Sequence, residues 1–174
     1  VEIETAALRL RGLDVTTTST SPDDDFYVDV GLARDNLSDL RRTQTVRAGS
    51  TGLPVSACSS IITVGTIIGS GSDPYCKTAT IAVAASATAK GAFKLHPVGT
   101  GTTTVDARAT GLIITDQGGL DVYVASSALS FEETNIDRVG AGLMDTFKVK
   151  SSSTAGVNTV VRVTSLTTGI CKVA

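Results

Sequence analysis

KGAFKLHPVGTGTTTVDARAT, residues 90–110, decides the fold class. Phe93, Leu95 and Pro97 alternate with Lys94 and His96, the period of two that marks a strand with one buried and one wet face. Gly99 and Gly101 interrupt the run, and Thr102–Ala109 resumes it. Glycine between two Thr- and Val-rich strands supplies the positive φ that a tight reversal requires.

The same grammar extends in both directions. Upstream, Lys77 to Ala85 sets Thr78, Thr80, Ala82 and Ala84 against Ala79, Ile81 and Val83, and GSGSDPYC makes the preceding turn. Further strands are expected at Phe26–Val30, Thr43–Ala48, Leu53–Ala57 and Ser60–Ile68, the last a doubly apolar run suited to a sandwich centre. Downstream, Leu112–Thr115, Leu120–Ala125, Ala128–Phe131, Leu143–Lys150 and Val157–Leu166 read as strands. Val1–Val15 reads as one long strand whose phase switches near Ala6-Ala7, which implies a bulge or cover on both faces. TTTSTSPDDD, residues 16–25, reads as a polar loop. Only Ala33–Arg42 has helix-like spacing, through Leu32, Leu37 and Leu40, enough for one or two turns.

Composition agrees. The 174 residues are 41% hydrophobic but 4% aromatic, with 17 Gly and no Trp, so Val, Ile, Leu and Ala must form the core. Abundant Ser and Thr with sparse Lys and Glu favour strands and turns over helix. The expectation is an all-β chain, a single sandwich domain over residues 1–174, mostly antiparallel, with at most one short helix. A net charge of −2 leaves no basic stripe, which argues against nucleic acid. Ile61–Ile68 falls far short of the ~20 apolar residues of a membrane helix, so no membrane insertion is expected. The chain opens on Val1, read as a processed end left by signal-peptide cleavage or by removal of an initiator Met.

Three cysteines without CxxC spacing give little support to zinc or redox chemistry. Cys58 and Cys76 bracket a glycine-rich stretch and flank what reads as one hairpin. Two readings stand, a disulfide between them or buried free thiols. Cys171 is left over, either buried or cross-linking a neighbour.

The stretch from Gln44 to Ala109 resembles bacterial Ig-like domains of the group 2 type, found in surface proteins and virion proteins. TVRAGS, residues 45–50, looks like their T-V-x-x-G opening strand. Val98, Gly99, Gly101, Thr103, Val105 and Ala107 match the V-G-x-G-x-T-x-V-x-A strand of their closing hairpin. The resemblance implies an Ig-like or jelly-roll-type sandwich displayed on a cell or particle surface.

Residues that carry chemistry are few. His96 is the sole histidine, with no acid beside it in sequence, and its alternation with Leu95 places it outward as a solvated side chain. Asp23, Asp24 and Asp25 offer oxygens for calcium, but the DxDxDG spacing is missing, and a solvated acidic turn is the competing reading. Asn36-Leu37-Ser38 is a formal glycosylation sequon, relevant to an exported chain. No phosphate-binding glycine loop occurs, and no catalytic machinery is expected.

The remaining feature is the N-terminal strand. Ile3, Thr5, Ala7, Leu8 and Leu10 form a candidate assembly strand, because a terminal strand is able to insert into a neighbour's sheet through main-chain hydrogen bonds. Only Arg9 and Arg11 blunt it against pairing. The expected function is therefore a structural subunit of an extracellular, pilus-like filament that associates with copies of itself. A virion capsid, decoration or tail subunit is the alternative, and an adhesin or carbohydrate-binding module is third, disfavoured by the lack of Trp.

Overall fold

A computed structural model describes residues 5–83, 86–132, 148–152 and 161–164. In chain order the strands are β1 (Ala6–Arg11), β2 (Thr16–Thr18), β3 (Asp24–Ala33), β4 (Leu40–Thr43), β5 (Leu53–Ser59), β6 (Gly65–Ile68), β7 (Cys76–Ile81), β8 (Thr88–Pro97), β9 (Gly101–Arg108), β10 (Ile113–Ile114), β11 (Gly119–Ala125), β12 (Leu129–Glu132) and β13 (Lys148–Ser151). The fold is all-β. One sheet has the order β10-β1-β3-β8-β6, with β4 pairing the far end of β3, and the facing sheet has the order β2-β11-β9-β5-β7.

The two sheets share one core. Leu8, Leu10, Phe26, Val28, Ile67, Phe93 and Leu95 of the first sheet meet Val55, Ala57, Ile81, Val105, Ala107, Val122 and Val124 of the second. Phe26 and Phe93, a cross-strand pair on β3 and β8, stack with ring centroids 5.7 Å apart. Few aromatics force the remainder to be aliphatic, and β-branched side chains fill such a layer with little rotamer entropy to lose.

Successive strands rarely pair with each other. The chain crosses the core at almost every connection, so that β5 and β7 are neighbours in one sheet while β6 between them lies in the other. Among the strands of the described residues two pairings are parallel, β1 with β10 and β2 with β11, and the others are antiparallel; the isolated bridge from Val46 to Val83 is also parallel. A buried polar knot fastens one crossing: Ser59 Oγ donates to Gly65 O at 2.6 Å, and Thr103 Oγ1 lies 2.8 Å from Ser59 Oγ and accepts from Ile61 N at 3.0 Å.

Several expectations need correction. KGAFKLHPVGTGTTTVDARAT supplies two strands but no hairpin, since β8 pairs with β3 and β6 while β9 pairs with β11 and β5. Its glycine turn carries the chain across the core, and a Cβ on Gly99 would come within 2.6 Å of Thr63 O. Ala33–Arg42 is not helical. Leu37 takes φ 58 and the segment turns into β4, because Arg34 N–H donates to Asp39 O in place of a helical ladder. The one helical piece among the described residues is the 3-10 turn Asp116–Gly118. Val1–Val15 is broken at Gly12, φ +84, into β1 and a link to β2. Thr16–Thr18 is no loop, because β-branched residues pair readily with β11. Thr43–Ala48 holds only the end of β4 and a bridge from Val46 to Val83.

β12 and β13 form a two-stranded sheet of their own. Val157–Leu166 and Cys171 fall largely or wholly outside the described residues.

Cys58 and Cys76 are directly opposite on β5 and β7, Cα–Cα 4.1 Å, and are joined by a disulfide. Of the two readings left open by the sequence, the disulfide is the one present. It ties edge strand β7 to its sheet and closes a loop with a sequence separation of 18. Loop-closure entropy assigns such a bond about 3 kcal/mol. Reduction is expected to lower the melting temperature of the native chain and to leave that of a Cys58→Ala, Cys76→Ala double variant unchanged, as read by calorimetry with and without reductant.

Candidate functional site: the slot of the first strand

β1 sits inside its sheet, not at the edge. It runs antiparallel to β3 from Ala6↔Leu32 to Arg11↔Tyr27, and parallel to β10 through Ala7↔Ile113 and Leu8↔Ile114. Of the candidate assembly residues, Ala7 and Leu8 are fully buried and Leu10 nearly so. Burial of adjacent residues means cover on both faces, one of the two explanations for the phase switch at Ala6-Ala7. Thr5 is exposed just ahead of the strand, and its carbonyl accepts from Ala33 N at 3.0 Å. Ile3 lies outside the described residues.

The slot is built to hold this strand. Buried Thr115 donates twice to Leu8 O, from Oγ1 at 2.9 Å and from N at 3.1 Å. Gly118 approaches the same carbonyl so closely that a Cβ there would lie 2.6 Å from Leu8 O. No larger residue fits without displacing β1.

The outward face of β1 is held by charge. Asp29 on β3 is 1% exposed. Its Oδ2 accepts from Arg9 Nε at 3.1 Å, Arg9 Nη2 at 3.0 Å and Arg11 Nε at 3.1 Å, while Oδ1 accepts from Thr88 Oγ1 of β8 at 2.6 Å. Arg9 also reaches Asp39 at 3.3 Å, and Arg11 lies 5.2 Å from the centroid of the Tyr27 ring. Burial works against the Arg9 charge, but the hydrogen bonds and charges of Asp29 and Asp39 outweigh it and raise the Arg9 pKa above its ordinary value. Arg9 and Arg11 are therefore anchors of β1 more than deterrents to pairing.

The other sequence candidates are dispersed. Asp23 lies 2.7 Å from His96 Nδ1, Asp25 lies 2.9 Å from Lys94 Nζ, and Asp24 accepts from Asp14 N at 2.7 Å. Asp24 and Asp25 are successive strand residues and point to opposite faces, while Asp23 and Asp25 are each engaged by a different side chain of β8, and no group among the described residues gathers three metal-binding side chains. His96 is outward and exposed as expected, but an acid does stand beside it, supplied by Asp23 from a distant part of the chain. The hydrogen bond described for that imidazole is the one to Asp23.

Asp29, Asp39, Thr88 and Thr115 were not legible as site residues. A signal for Asp29 exists: in FYVDV it occupies the outward parity, and Arg9 and Arg11 share one parity on β1. Nothing local says that the two strands are neighbours.

Neither protein-family models nor curated proteins yield a match to the chain.

Removing the shared acceptor is expected to loosen the slot. Asp29→Ala leaves the Arg11 guanidinium, 49% exposed, without its carboxylate and the Arg9 guanidinium, 25% exposed, with Asp39 alone, a loss of about 2 kcal/mol after partial rehydration. Chemical denaturation of Asp29→Ala against the native chain measures it. Asp24 gives a pH signature: burial, with the charges of Asp14 and Asp25, raises its pKa despite the Asp14 N–H bond. A carboxyl whose folded pKa exceeds its unfolded value binds more protons in the native state, so its ionisation costs stability at neutral pH. Asp24→Asn is expected to melt higher than the native chain at pH 7, with the difference vanishing as pH falls below the carboxylate range.

Proposed function

We propose that the chain is a structural subunit of an extracellular, pilus-like filament, in which β1 of each copy occupies the slot between β3 and β10 of the next. One observation carries this reading. Every ladder of β1 among the described residues is made with strands that do not follow it directly in the chain, β3 and β10, and the link at residues 12–15 that leads out of β1 opens on Gly12 at φ +84. A strand held in that manner fills its slot equally well from its own chain or a neighbour's, the condition for strand exchange.

Energetics favour a filled slot over an empty one. Withdrawal of β1 would expose the apolar groove that receives Leu8 and Leu10, detach β10, and strand the Asp29 carboxylate. A head-to-tail exchange repeats without closing unless the rotation between copies happens to close it, which yields a fibre. The Cys58–Cys76 disulfide is compatible with an exported protein, since such bonds persist in oxidising compartments. Among the described residues no helix is long and apolar enough to cross a membrane.

The decisive experiment removes residues 1–11. Native material is expected to form fibres in negative stain and high-mass species in sedimentation. The truncated chain is expected to lose both and to unfold, and a synthetic peptide of residues 1–11 is expected to restore its cooperative melting. A native chain that stays monomeric, with a truncated form of unchanged stability, overturns the proposal. Closed shells in place of fibres would overturn the filament in favour of a virion subunit.

A further inference from the structure

The turn between β3 and β4 presents the sequon Asn36-Leu37-Ser38 in an unusual setting. Arg34 N donates to Asp39 O and Leu37 N to Arg34 O, each at 2.9 Å, closing a tight turn with Asn36 exposed on the surface. Leu37 is the only non-glycine residue with positive φ among those described. Such a backbone costs of order 1 kcal/mol and persists only where its surroundings hold it. Asp116 N, donating to Leu37 O at 2.9 Å, is one such hold.

The side chains of the sequon are already arranged. Asn36 Oδ1 accepts from Ser38 N at 3.2 Å and from Ser38 Oγ at 2.8 Å. Both hydrogen bonds fall on the oxygen, and none described involves Nδ2, the atom that would carry a sugar. Asn135 and Asn158 are not followed by Ser or Thr at the required position, so the sequon is at Asn36 alone. Among the charged side chains of Arg34, Asp35 and Asp116 stand three exposed apolar ones, Leu37, Ile113 and Ile114, at 41%, 36% and 41%, and among the described residues β10 is an edge strand with one side unpaired.

We propose that Asn36 carries an N-linked oligosaccharide. In the transfer, Asn36 Nδ2 attacks the anomeric carbon of an oligosaccharide carried on a polyprenyl pyrophosphate. The C–N bond forms as the carbon–oxygen bond to pyrophosphate breaks, the electron pair leaves with the pyrophosphate, and Nδ2 loses one proton. No redox partner is required. The product is compatible with the turn, because both hydrogen bonds from Ser38 remain on Oδ1. Attached there, a bulky hydrophilic chain covers the apolar rim of β10 and closes that edge to lateral pairing. The attachment requires export into a compartment that holds the lipid-linked donor and a transferase for it. Its role in steering association to the β1 slot rests on the filament reading.

Peptide mass spectrometry of the protein purified from its source tests the site. Cleavage after Arg34 and Arg41 releases residues 35–41, expected at a mass raised by the oligosaccharide. Amidase treatment is expected to remove the sugar and leave an aspartate where Asn36 stood, which the peptide mass reports. Asn36→Gln and Ser38→Ala, expressed in the same source, are expected to lose the increment completely, while Ser38→Thr keeps it. A native peptide of unmodified mass, or an increment that survives Ser38→Ala, overturns the proposal. Fibres built from chains unmodified at Asn36 would refute the glycan and leave strand exchange standing. Modified chains that never assemble would do the reverse.

Discussion

A carboxylate withdrawn from water is tolerated in a protein only when donors replace its hydration, and Asp29 meets that condition with donors from two other strands. Arg9 and Arg11 come from β1 and Thr88 from β8, so one side chain on β3 clamps three adjacent strands across the outer face of their sheet. The core on the inner face is non-directional and would accept a slip of β1 by two residues. The charges would not, since such a slip would take Arg9 or Arg11 away from Asp29. Register in the first sheet is therefore fixed by polar geometry, and hydrophobic burial supplies the bulk of the stability.

The crossing pattern explains why this sheet needs such a clamp. A hairpin fixes the register of its two strands through its turn, but β1, β3 and β8 are not joined to one another by hairpins. Register must then come from side chains and backbone contacts remote in sequence. The Thr115 bonds to Leu8 O serve β1 and β10, and the Ser59–Thr103 knot serves the turn entering β6. At the far edge of the second sheet the disulfide does the same for β7. The price is slow folding, because non-local pairings demand loop closure before they are rewarded.

Strand identity was legible in the sequence wherever alternation was clean, as at FYVDV and AFKLHPV, because burial of one face writes period two directly into the residues. Partners were not legible. GTG between two strands reads as a hairpin turn, yet here it spans the core, and nothing in Gly99 or Gly101 distinguishes the cases. The helix expected over Ala33–Arg42 failed because Leu32, Leu37 and Leu40 do not share one face: Leu32 and Leu40 are buried on paired strands and Leu37 is 41% exposed. Thr16–Thr18 looked like loop for lack of apolar residues, although β-branching alone sufficed. The disulfide was left open by spacing and decided by the direct opposition of Cys58 and Cys76. The β1 slot was half visible: its apolar residues could be named, but its depth inside the sheet depends on β10, only two residues long.

Placement of β1 between two hydrogen-bonded neighbours has a mechanical consequence. Ladder hydrogen bonds run across the strands, so tension applied along β1 loads the bonds to β3 and β10 together in shear, and none yields before its neighbours share the strain. An edge strand pulled sideways would instead peel open one bond at a time. A joint made from β1 would thus be strongest along the line in which a fibre is stretched.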